Sequence, residues 1–276
     1  MDKNIGFIGT GYMARALARG FLKTQAVTPL QLFGCDINPE AAQTFAEQTN
    51  GTNKDTIKDL VVNCNVVFLA VKPQQMGEVL RLIGTLRAGP QRELCNPLWI
   101  TIAAGIPVRN YLKEMGNTAR LIRVMPNTPC RVGEGVSGFC VSEGVQPEDI
   151  ALATELLETV GIAIQLPERQ LDAVAGLSGS GPAFVYMMID SLADGGVKMG
   201  LSREHALRLA VQTVKGAAAV IQQTGEHPAF LKDNVCSPRG TTIYGVHALE
   251  RSGFRASVID AVEASTLRAR EIAAEM

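Results

Sequence analysis

Residues 5–14 read Ile-Gly-Phe-Ile-Gly-Thr-Gly-Tyr-Met-Ala, a β-rich run that ends in glycine and passes at once into a helix-forming run. Gly9, Gly11 and Ala14 make the spacing G-x-G-x-x-A. Gly9 permits a tight turn, Gly11 lets a pyrophosphate approach the backbone, and Ala14 allows close helix–strand packing. The helix that follows presents free N–H groups and a positive partial charge at its start. The turn specifies a dinucleotide site only if strand–helix alternation continues behind it. Otherwise it is a glycine turn needed for packing alone.

The alternation does continue. Lys3–Gly9 reads as a strand, Tyr12–Lys23 as a helix, Leu30–Gly34 as a second strand, and Pro39–Gln48 as a helix opened by Asn38 as N-cap. Val66–Val71 is apolar on both faces, as a central parallel strand requires. Trp99–Ala103 and Leu121–Val124 follow, with Gly138–Ser142 and Ala163–Leu166 as late edge strands. Repeated strand–helix–strand units imply a doubly wound sheet with right-handed crossovers. After Arg169 the strands cease. Helices are expected over Pro182–Met199, over Arg203–Gln223 behind Ser202, from near Thr241, and over Phe254–Ala274. The expected fold is therefore α/β: a Rossmann-type dinucleotide-binding domain over residues 1–165, then an all-helical domain over residues 166–276. The apolar stripe of Pro182–Met199 is wide, and a helical domain with this much apolar surface cannot easily cover itself, so this second part is expected to pack against a second subunit.

Charge and cysteine content exclude several classes. Lys+Arg is 26 and Asp+Glu is 27 in 276 residues, a net charge of -1 with no basic stripe. Nucleic-acid binding through bulk electrostatics is not expected. The longest apolar run, Val66–Val71, is far short of a bilayer span. No signal peptide is read ahead of Lys3. The cysteines at 35, 64, 95, 130, 140 and 236 contain no C-x-x-C, and reduced thiols in the cytoplasm, with no metal site, are expected.

Further candidate site residues fall at strand ends, where open α/β sheets bind ligands. Asp36 ends the second strand. An acid there holds a ribose 2′-hydroxyl, which favours NAD or tolerance of both cofactors, unless it serves only as a surface or capping group before Pro39. Ala70-Val71-Lys72-Pro73 ends the third strand, with Pro73 expected to force an extended turn, and Ala103-Ala104-Gly105 ends the next with small residues. Asn127 in Met125-Pro126-Asn127-Thr128-Pro129 offers an amide toward nicotinamide or substrate. Two glycine clusters stand in the helical half. Gly176-Leu177-Ser178-Gly179-Ser180-Gly181-Pro182 reads equally as an anion site with exposed backbone N–H groups or as a flexible turn. Ser237-Pro238-Arg239-Gly240-Thr241-Thr242 combines a helix start with hydroxyls, which suits a small carboxylate, or reads as a helix capped by Ser or Thr. His205, His227 and His247 lie outside both clusters, and no nucleophile–base pair stands out. The bound cofactor is therefore expected to carry the chemistry.

Five segments in order — the glycine turn, Ala70–Pro73, Val124–Pro129, Gly176–Ala183 and Asp233–Thr242 — resemble the Δ1-pyrroline-5-carboxylate reductases over nearly the whole chain. The resemblance implies reduction of the cyclic imine 1-pyrroline-5-carboxylate to L-proline, the last step of proline synthesis, with NADPH or NADH. It implies a homodimer, in many members five dimers forming a decamer. It carries the cofactor contacts to Ile8, Gly9, Thr10, Gly11, Tyr12 and Met13, and to Cys35, Asp36 and Asn53 at the adenosine end. The nicotinamide side falls to Ala70, Val71, Lys72, Pro73, Ala103, Ala104, Gly105 and Asn127. Substrate falls to Asn234, Ser237, Gly240, Thr241 and Thr242, with Thr242 at the ring nitrogen as the catalytic group, and the turn holding Gly179 and Ser180 closes the site across a dimer. One departure stands out: Arg239 occupies a position where that family often has glycine, and its side chain is expected to point outward. Two other readings remain. A β-hydroxyacid dehydrogenase would need a catalytic lysine on the first long helix of the second domain, where only Lys198 stands, at the far end. A non-catalytic redox sensor would bind dinucleotide without turnover.

Overall fold

The computed structural model describes residues 2–89 and 96–275; the reading of Cys95 as a reduced thiol lies outside the described residues. Among the described residues eight strands form one sheet in the order β3-β2-β1-β4-β5-β6-β7-β8. They are β1 (Ile5–Ile8), β2 (Leu32–Cys35), β3 (Thr52–Asn53), β4 (Val66–Leu69), β5 (Leu98–Thr101), β6 (Leu121–Met125), β7 (Gly135–Val141) and β8 (Gly161–Gln165). All neighbours pair in parallel except β6 with β7. The order reverses between β1 and β4, which opens a crevice at their carboxyl ends.

Helices cover both faces of the sheet. On one face α1 (Tyr12–Lys23), α2 (Pro39–Thr49) and α6 (Pro147–Glu158) bury Leu17, Phe21, Phe45 and Leu156. Few aromatics are available, yet four gather here: Phe7 stacks on Phe68 with centroids 4.9 Å apart, and Phe21 and Phe45 flank them. On the other face α3 (Ile57–Asn63), α4 (Pro73–Ala88) and α5 (Val108–Met115) bury Leu60, Leu80 and Tyr111 against Trp99.

Four expectations need correction. The second strand starts at Leu32, because Pro29–Gln31 is a 3-10 turn held by a Thr28–Gln31 capping box. Pro73 does not prolong an extended turn: it opens α4, and Lys72 before it is the extended residue. Segment 138–142 is no edge. β7 begins at Gly135, lies between β6 and β8, and leaves β8 at the edge. The helical half also holds a helix the periodicity did not reveal, α10 (Pro228–Val235), with the His227 imidazole accepting from the Ala229 N–H at its start.

The chain divides into two compact units. The first runs to Gly179 and regains the chain from Ser265 onward, and the second is Ser180–Ala264. The sheet unit extends past the expected 165/166 boundary for a packing reason. α7 (Leu171–Val174) lies on the sheet, with Leu171 buried and Val174 against the bare face of Gly138. The second unit contains α8 (Gly181–Lys198), α9 (Arg203–Thr224), α10, α11 (Thr241–Arg251) and the first part of α12 (Phe254–Glu275). Its own core is slight: Ala193, Ala206 and Ala210 with Ile189 and Val197 around them. Tyr186, Met187, Leu209, Tyr244 and Ile259 are each more than half exposed. Among the described residues no helix is long and apolar enough to cross a membrane.

Candidate active site

The glycine turn is fixed from three sides. Gly9 N–H donates to Cys35 O at 2.8 Å, Ala70 N–H donates to Ile8 O at 2.8 Å, and Arg15 reaches back to Thr10 O at 3.1 Å. Gly9 has φ +89°, and a Cβ there would lie 2.7 Å from Val71 N, so only glycine suits it. A Cβ on Gly11 would meet nothing within 4 Å. No side chain caps α1, so its first-turn N–H groups face that open space. A pyrophosphate fits such a cradle.

The cradle continues into a cleft of about 370 Å³ lined by Ile8, Gly9, Gly11, Cys35, Asp36 and Ala70–Lys72, and also by Ile37, Asn38, Ala41, Ile57, Gln75, Glu78 and Val79. Ile37, Ala41, Ile57 and Val79 give it the apolar walls an adenine ring needs. Sequence reasoning missed Ile57 and Val79 because it had not found α3 or α4. The local signal for α3 was Thr56 three residues before Asp59, and the Thr56 hydroxyl does accept from Asp59 N–H. Asp36 turns its carboxylate inward: Oδ2 accepts from Thr10 N–H at 2.6 Å and from the Thr10 hydroxyl at 3.1 Å, and Oδ1 from Asn38 N–H at 2.9 Å. Tyr12 is half-exposed under the Arg131 guanidinium, and Met13 packs toward the core. Asn53 stands on β3 outside the cleft lining and donates to Ala42 O at 2.8 Å. Burial first, then Asp36, Asp55 and Asp59, push the Cys35 thiol up, which disfavours the thiolate form.

At the ends of β5 and β6 the residues are already engaged with one another. Ala103 is buried, Ala104 is exposed, and Gly105 has φ +81° with Ile272 of α12 over it. Asn127 does not offer a free amide. It is buried, donates to Ser178 O at 3.0 Å and accepts from Val136 N–H at 2.8 Å, clamping β6, β7 and the following helical turn. Arg123 on β6 pairs with Glu168 at 2.8 Å, and the same carboxylate oxygen receives Val108 N–H at the start of α5.

The cluster at 176–182 is neither an open anion loop nor a flexible turn. Ala175–Gly179 is a π-helical turn, and Ser180 follows in helical conformation before α8. A Cβ on Gly179 would sit 2.8 Å from Met125 Cε, the movable end of that side chain. In the second unit Ser237–Gly240 forms a β-turn closed by Gly240 N–H to Ser237 O at 3.0 Å, with Pro238 second and Arg239 third at φ 59°. Such a turn favours glycine at its third position, so Arg239 holds a left-handed backbone that glycine would adopt more readily. The N-cap of α11 is Gly240, not a Ser or Thr, and a Cβ on it would collide with Ser237 Oγ. Thr241 and Thr242 occupy the first helical turn, and no hydrogen bond among the described residues engages their hydroxyls or that of Ser237. Asn234 is exposed on α10.

Comparison with known proteins decides what this arrangement belongs to. Residues 168–272 match the family model for pyrroline-5-carboxylate reductase dimerisation, and residues 4–93 match that for NADP oxidoreductase coenzyme F420-dependent. The pyrroline-5-carboxylate reductase of Methanosarcina acetivorans is 40% identical over 273 residues, 98% of each chain. The chain belongs to the pyrroline-5-carboxylate reductase family. Among solved structures, the pyrroline-5-carboxylate reductase of Coxiella burnetii superposes with a TM-score of 0.90 at 31% identity, covering 99% of both chains. The Plasmodium falciparum pyrroline carboxylate reductase with NADP bound gives 0.86 at 32% identity, covering 99% of this chain and 98% of that one. The dimerisation model falls on the poorly self-covered helical half, so this reductase-family chain carries an oligomerisation domain.

Proposed function

We propose that the chain reduces 1-pyrroline-5-carboxylate to L-proline with NADPH or NADH. The observation that carries the reading is 40% identity to a reductase of that name over 98% of both chains, spanning both the glycine cradle and the hydroxyl loop before α11. The nicotinamide cofactor, when bound, supplies the hydride. Gly9, Gly11 and the first turn of α1 bind its pyrophosphate, and Asp36 with the apolar cleft walls receives the adenosine. Ala70–Pro73 and Ala103–Gly105 border the nicotinamide.

The start of α11 binds the substrate carboxylate through N–H groups whose partial charge opposes it. Ser237, Gly240 and Thr241 orient it, with Asn234 beside them. The imine accepts a hydride at carbon once its nitrogen is protonated, so the step needs orientation and a hydrogen-bond partner, not a strong acid. The iminium N–H donates to the Thr242 hydroxyl oxygen, and the electron pair of the C=N bond returns to nitrogen as the new C–H bond forms. Holding the reacting atoms at about 3–3.5 Å contributes several kcal/mol to the lowered barrier. Gly179 and Ser180 close the site from a second copy in a homodimer, of which five make a decamer, in the cytoplasm.

The test is the near-ultraviolet absorbance of NADPH and, separately, NADH, with and without the imine. Imine-dependent loss of absorbance supports the reading. No loss from a folded protein that still binds dinucleotide overturns it.

A further inference from the structure

We infer that Asp36 makes this chain discriminate against a 2′-phosphate on the adenosine ribose, so that NADH is preferred over NADPH; this rests on the cofactor site assigned under the proposed function. Three donors fix the carboxylate: Thr10 N–H, the Thr10 hydroxyl and Asn38 N–H. Two of these come from the glycine turn, so swinging the side chain away would unpin the turn that cradles the pyrophosphate. A carboxylate has about four acceptor directions. One remains, and it suits a single hydroxyl donor, which a ribose 2′-hydroxyl is and an ionised phosphate is not.

The surrounding charge points the same way. The cleft lining holds two acids, Asp36 and Glu78, and one cation, Lys72, which stands at the amino end of α4. The residues next to Asp36 on the adenosine side are Ile37 and Asn38, and among the described residues no arginine lines the cleft; the nearby Arg15 guanidinium is engaged by Thr10 O. A 2′-phosphate would meet a fixed like charge, the arrangement that excludes wrong ligands most strongly.

The test titrates ADP-ribose and 2′-phospho-ADP-ribose calorimetrically into the full-length protein and into D36N. The amide keeps an acceptor for the turn while removing the charge. Kinetics with NADH and NADPH run in parallel. The wild type should bind ADP-ribose about tenfold or more tightly than its 2′-phosphate, and D36N should narrow that ratio by about tenfold. Asn38→Arg, which adds a cation and leaves Asp36 in place, should narrow it too and serves if D36N fails to fold. A wild-type ratio below about fivefold overturns the inference, as does a ratio unchanged within about twofold in a folded D36N or in N38R. Failure to bind either ligand overturns the cofactor site and this inference with it. A ten-fold preference without imine turnover leaves the inference standing and sinks the proposed reductase.

Discussion

Thr242 can be tested without disturbing the fold, because Gly240 rather than a threonine caps α11. Thr242→Ala should lower kcat/KM for the imine by roughly ten- to a hundredfold, the range for one hydrogen bond to a charged group, and Thr242→Ser should restore most of it. An unchanged kcat/KM in steady-state assays would remove Thr242 from the mechanism. Arg239 is exposed in left-handed backbone, so Arg239→Gly should leave substrate KM unchanged and alter stability by less than about 1 kcal/mol, read from the denaturant midpoint. A large rise in KM would mean that the guanidinium touches substrate. The buried acids give a pH prediction. Burial pushes the Cys64 and Tyr111 groups up to about 12 and Cys140 to about 11. Their stabilising contribution is full below the ordinary thiol value of 9.0 and is lost as pH climbs through the folded values. Thermal melts should therefore fall progressively from about pH 9 upward, and a flat profile would contradict this. At this scale the glycine turn was legible, since each glycine had a stated steric task. The bonds of Asn127 were not, because its identity names donors and acceptors but not which neighbours the fold brings to them.

At the scale of elements, Arg123 ties β6 to the 3-10 turn Glu168–Gln170, and Glu168 in turn holds the start of α5. The Arg123 side chain is 8% exposed, whereas that of Glu168 is 38% exposed. Removing the arginine lets the carboxylate rehydrate, but removing the carboxylate strands a buried cation with Asp172 no nearer than 3.9 Å. Glu168→Ala should cost about 1.5–3 kcal/mol in urea unfolding, and a loss below about 0.5 would show the pair to be incidental. Long elements with sustained periodicity, such as α1 and α9, could be read directly from the sequence. Others could not: α3 has seven residues and α10 eight, too few turns for an apolar stripe to stand out, and α4, though sixteen residues long, buries only Met76, Leu80 and Ile83. The π turn at 175–179 was hidden for a different reason. Its glycines suggest a loop, and their spacing carries no sign of the π geometry that Ala175–Gly179 adopts.

The whole molecule is unevenly self-sufficient. The sheet unit buries phenylalanines and tryptophan on two faces, while the helical unit closes over three alanines. Its stability should therefore depend on association: the melting temperature should rise with protein concentration, and Tyr186→Asp with Met187→Asp should shift sedimentation toward a monomer and lower that temperature. Concentration-independent melting with an unchanged sedimentation coefficient would refute this. The apolar excess of this half was readable from its sequence, but the return of α12 to the first unit was not, because a helical period does not say what the helix packs on. That return bears on biosynthesis. Ile272 covers Gly105, so the bed of the Ala103–Gly105 turn is finished by residues translated more than 160 positions after it. A nascent chain halted before Ser265 would hold a paired sheet with that turn uncovered, and emergence of the end of α12, not of the sheet, would set the moment at which the turn is covered.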